Sequence, residues 1–105
     1  MNQSEVIKSI SQLMRSEIPE AETILYGSRA RGSMRPDSDF DILILLPDTI
    51  SPAIFAKRKT EIFGKLYDLE LDWNVVISPL ILLKSMWKKM KTPFTCNVER
   101  DGIRI

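Results

Sequence analysis

Histidine is absent from the 105 residues. That excludes Ser-His-Asp and Cys-His catalysis and the usual histidine-bearing zinc sites within this chain. Cys96 is the single cysteine, so no internal disulfide can form, as suits a reducing compartment. No apolar run approaches a membrane span: "ILILL" and "LILL" are the longest. The first residues, "MNQSEVIKSISQLM", lack the long apolar core and small-residue cleavage site of a signal peptide. The expectation is a cytoplasmic protein. Charge of one sign is lacking too. Fifteen Lys and Arg against fourteen Asp and Glu leave a net +1, so nothing draws the chain wholesale to nucleic acid. What remains for acid–base or metal chemistry is carboxylate.

The length suggests a single domain spanning 1–105, with one small core that buries roughly 60–70% of the unfolded chain's surface. Residues 4–18 read as an amphipathic helix, with Val6, Ile10 and Leu13 on one line and Ile7 and Met14 beside it. Asn2 or Ser4 would cap it, and Pro19 ends it. "ETILY" is a short strand bounded by Gly27. "SRARG" has room for about one helical turn. "SMRPDS" is loop, and "DFDILILL" is a strand closed by Pro47. A second long helix starts at Ser51 as cap, with Pro52 in its first position. Its end is ambiguous. It stops near Gly64 if "LYDLELDWNVVI" is a strand, or runs to Trp73 if Asn74 is a left-handed cap. The alternation of Leu69, Leu71, Trp73, Val75 and Ile77 with polar residues favours the strand. "LLKSMWKKMK" reads as a short basic helix, with Trp87 packed in the core and its lysines solvated. "FTCNVERDGIRI" reads as an extended tail turning at Asp101-Gly102. The order α-β-turn-β-α-β makes a small α/β or α+β domain.

The stretch "LYGSRARGSMRPDSDFDILILL", residues 25–46, carries the chemistry. Aspartate is a poor strand former, yet "DFD" opens the most apolar run of the chain. Side chains alternate along a strand, so Asp39 and Asp41 share a face, with α-carbons about 6.6 Å apart. Two carboxylates so placed can converge on a pair of cations, which in two-metal sites lie about 3.5–4 Å apart. Hard oxygen ligands suit Mg²⁺. Gly27 lets backbone N–H groups approach a phosphate, and Ser28 adds a hydroxyl. Arg29, Arg31 and Arg35 can neutralise phosphate charge. Taken singly, Asp-x-Asp, Gly-Ser and an arginine-rich loop are ordinary surface features. Their order changes that, with Asp39 eleven positions after Ser28.

At these residues the sequence resembles the nucleotidyltransferase superfamily of DNA polymerase β. The form "GSRARGxxxPDSDxDI" resembles in particular the minimal nucleotidyltransferases, single-domain proteins of about this length. The resemblance implies an α+β fold with a small mixed sheet flanked by helices. It implies that Asp39 and Asp41 ligate two catalytic Mg²⁺ ions, and that Gly27 and Ser28, with Arg29 or Arg31, hold a nucleoside triphosphate. The reaction would move a nucleoside monophosphate, AMP from ATP, to a hydroxyl of a protein or small molecule. Active members carry a third metal-binding carboxylate on a later strand. Asp72 in "LDW" is the candidate here, with Glu70 beside it; the strand "VVISPLIL" offers only Ser78. The family also implies a helical HEPN protein as partner in a toxin–antitoxin pair, and a homo-oligomer is open. The alternative is a weak or inactive transferase-like module that neutralises its partner by contact. A stand-alone aminoglycoside-type transferase is disfavoured, because no second substrate domain is present.

Overall fold

A computed structural model describes residues 2–105. Helix α1 (Gln3–Glu17) is capped by the Asn2 side chain, which accepts from Ser4 N at 2.8 Å. It presents Val6, Ile10 and Met14 to the core. Strand β1 (Glu22–Tyr26) leads into the single turn α2 (Ser28–Arg31), and after a loop comes β2 (Phe40–Leu46). Helix α3 (Pro52–Trp73) precedes β3 (Ile77–Leu83), α4 (Lys84–Lys89), α5 (Pro93–Asp101) and the short β4 (Ile103–Arg104).

The sheet order is β3-β2-β1-β4. Strand β1 is antiparallel to β2 and β4, while β2 and β3 run parallel, which makes the sheet mixed. Burial on both faces explains the near-continuous apolar run of β2. Phe40, Ile42, Ile44 and Leu46 pack against α1 and α3, together with Ile62 and Leu66. Leu43 and Leu45 face the other way, toward Trp87 of α4 and Val98 of α5. No helix among the described residues is long and apolar enough to cross a membrane.

Two expectations are corrected. The segment from Leu66 to Trp73 is helix, not strand: α3 runs its full 22 residues and stops at Asn74, whose φ of 52° is left-handed. The alternation that favoured a strand is fortuitous. The face turned inward is Phe55, Ile62, Leu66, Leu69 and Trp73, a helical spacing, while Leu71 is 65% exposed. The C-terminal tail is extended only at β4; before it, Pro93–Asp101 is helix. Thr92 caps α5, its hydroxyl accepting from Thr95 N at 3.2 Å, and Pro93 takes the first helical position. That Thr-Pro start was the available signal. Gly102 ends the helix, its N–H donating to Val98 O at 2.7 Å.

Candidate functional site

The three strands β1, β2 and β3 bring polar residues together at one end of the sheet. In register, Tyr26 of β1 stands opposite Asp41 of β2, and Asp41 stands opposite Ser78 of β3. Asp41 lies on the odd-numbered face of β2, the side covered by α4 and α5. Asp39 sits just before β2 begins and is exposed. Its Oδ2 accepts from the Ser78 hydroxyl at 3.0 Å.

Gly27 is required here for two reasons. Its φ of +75° lies where side chains are strained. A Cβ at this position would also run into the Asp41 carboxylate. The backbone of residue 27 and the carboxylate of Asp41 therefore share one small space. Beyond Gly27, α2 is a single turn, closed by Gly32 in the left-handed region with its N–H on Ser28 O. Ser28, half-buried, opens this turn.

Electrostatics mark Asp41. Partial burial pushes its pKa up, the neighbouring Asp39 charge pushes further, and Arg31 pulls it partly back. Tyr26 is pushed up as well, by burial and then by Asp41. Two carboxylates with one nearby guanidinium form a site short of positive charge, which suits a divalent cation. Asp39, Asp41 and the hydroxyl of Ser78 are hard oxygen donors of the kind Mg²⁺ takes.

The structure separates the other expected residues. Asp72 lies exposed on the last turn of α3. No group of three or more His, Cys, Asp or Glu side chains able to hold a metal occurs among the described residues, so Asp72 does not join Asp39 and Asp41. The helical course of α3 is the reason. Glu70 is diverted as well, its Oε1 accepting from Ile77 N at 2.6 Å and fixing the start of β3. Ser78, one residue on, fills the space beside Asp39 instead.

Arg29 is also redirected. It is 5% exposed, and its guanidinium is spent on the protein. Nε and one terminal nitrogen donate to Ser38 O at 3.0 and 2.7 Å, and the other donates to Gln3 Oε1 at 2.8 Å. The group lies 3.8 Å above the Phe40 ring. Arg29 thus holds the loop before Asp39 rather than facing a ligand, and Arg31 is left as the exposed cation beside Asp41. Ser38 also closes the turn, its Oγ accepting from Arg35 N at 2.8 Å.

This fold and its acidic strand end belong to a known class. Residues 7–102 match the model of the nucleotidyltransferase domain family, and the chain belongs to that family. It is a nucleotidyltransferase, an enzyme that transfers a nucleoside monophosphate. A Methanocaldococcus jannaschii protein named "Putative protein adenylyltransferase MJ0141" is 34% identical over 98 residues, covering 93% of this chain and 89% of that protein. Among solved structures, a toxin–antitoxin complex with AMP-PNP contains a chain that superposes with a TM-score of 0.60 at 20% identity, covering 98% of this chain and 72% of that one. The toxin–antitoxin MntA-HpeT, in a mutant with two aspartates replaced by glutamates, gives 0.59 at 22% identity, covering 99% and 72%. These structural likenesses establish the fold.

Proposed function

We propose that this chain transfers AMP from ATP to a hydroxyl group of a protein acceptor, with Asp39 and Asp41 as ligands of Mg²⁺. The acceptor hydroxyl gives its proton to solvent, its oxygen forms a bond to the α-phosphorus, the bond from that phosphorus to its bridging oxygen breaks, and pyrophosphate leaves. A cation held there would neutralise the charge that develops on the transferred group and lower the pKa of the attacking hydroxyl. Gly27 lets a phosphate come close to the backbone, Ser28 offers a hydroxyl, and Arg31 offsets phosphate charge. Ser78 holds Asp39 in place by donating to it. The observation that carries this reading is the Asp39–Asp41 pair set against the bare backbone of Gly27.

The name of the archaeal relative favours a protein as acceptor, and the toxin–antitoxin neighbours favour a toxin as partner; that this partner is a helical HEPN protein is what the family resemblance implies. Isothermal titration should show ATP binding that requires Mg²⁺ and is lost in Asp39→Asn/Asp41→Asn. Unchanged binding in that double variant would reject the site.

One observation favours a second reading. With Asp72 displaced, two carboxylates and a serine stand where the family resemblance implies three acids. A module that neutralises its partner by contact would need no third acid. Incubation with the partner and labelled ATP separates the two. Label on the partner means transfer; a stable complex without label means contact alone.

A further inference from the structure

The row from Ser78 through Asp41 to Tyr26 leads to a cleft of about 170 Å³ that the chemistry above leaves unused. Tyr26, Gly27 and Arg31 line one side; Phe94, Asn97 and Asp101 line the other. The last three fall at i, i+3 and i+7 of α5, so one face of that helix makes the wall. Phe94 is held edge-on by Tyr26 at 5.6 Å and by Trp87 at 6.1 Å, yet remains 39% exposed. Asp101 is committed, both oxygens taking the Arg100 fork at 3.0 Å. Asn97 is exposed and presents a donor and an acceptor together.

The volume falls below the roughly 300–1,000 Å³ of pockets that enclose whole ligands. It suits one flat ring, with the remainder of the ligand outside. The direction of that remainder is fixed, because Gly27 and Arg31 line both this cleft and the space beside Asp41.

Resting on the transfer reading above, we infer that this cleft seats the nucleobase, stacked against Phe94, with Tyr26 meeting it near a right angle, and read along its edge by Asn97. The phosphates then pass Gly27 and Arg31 toward Asp41. An amide pairs bidentately with the amino and ring-nitrogen edge of adenine, whereas guanine offers two acceptors on that edge. The cleft therefore selects ATP over GTP.

Titration calorimetry in Mg²⁺ with ATP, GTP and inorganic tripolyphosphate decides the matter. Wild type should bind ATP more tightly than GTP. Asn97→Asp should lose about tenfold in ATP affinity, the scale of one bidentate pair, with tripolyphosphate binding unchanged. Phe94→Ala should weaken ATP and GTP alike and spare tripolyphosphate, because stacking is tolerant of base identity. If both variants bind ATP as wild type does, the cleft is not the base site, even though the Asp39–Asp41 site stands. If wild type fails to bind tripolyphosphate, the transfer reading falls and takes this inference with it.

Discussion

The pKa of Asp41 is raised in the folded protein, and the sign of that shift has a consequence for stability. Burial and Asp39 hold its pKa above the ordinary value in the folded protein. Such a group stabilises the fold in its protonated form. That contribution is present at low pH and is lost as pH rises through the raised value. At pH 7 the metal-free protein carries an unfavourable charge. Asp41→Asn should raise the metal-free Tm at pH 7 and lessen the gain that wild type shows on acidification through the carboxylate range. Mn²⁺ should raise the wild-type Tm and leave the variant unmoved. A variant that melts below wild type at pH 7 would mean that the Asp41 charge already stabilises the fold. Ser78 poses the complementary case. Ser78→Asp places a third acid opposite Asp41 and should tighten Mn²⁺ by about tenfold, because charge count tunes sites of hard oxygen ligands. Calorimetric titration reads it, and an unchanged affinity would show that position 78 does not face the cation.

At the scale of elements, Arg29 ties three pieces of chain together: α1 through Gln3, the loop through Ser38 and β2 through the Phe40 ring. Arg29→Ala should cost about 3 kcal/mol, since it strips charged hydrogen bonds from the half-buried Ser38 carbonyl and Gln3 amide. Arg29→Lys should recover less than half, because one ammonium cannot replace a planar fork. Urea denaturation measures both, and a lysine variant as stable as wild type would refute the clamp. Nothing in "SRARG" distinguishes this arginine from Arg31. Both are basic residues of one turn, and only the packing of α1 behind it shows which is enclosed. The strands were more legible. β1 is bounded by Gly27, and β2, apart from Asp41, is an apolar run closed by Pro47, so local pattern and burial agree. α3 was misread because leucines two apart satisfy either period when a face is only partly covered. α5 was misread because its start signal, Thr92-Pro93, lies in a polar tail without a strong apolar stripe.

For the whole molecule, sheet order could not be read from periodicity. The parallel pairing of β2 with β3 and the return of β4 to β1 depend on where α3 and α5 lay the chain. Asp39 and Asp41 were legible, because their spacing sits in a local fingerprint. That no third acid joins them among the described residues was not, because it follows from the length of one helix. Gly27, Arg29, Asp39 and Asp41 belong to a single contiguous hairpin, β1–α2–loop–β2. Ser78 and the α5 wall of the cleft come from chain beyond Asn74. The molecule is thus built as a cartridge followed by a separate faceplate, and residues of the latter can be rewritten without rewiring the former.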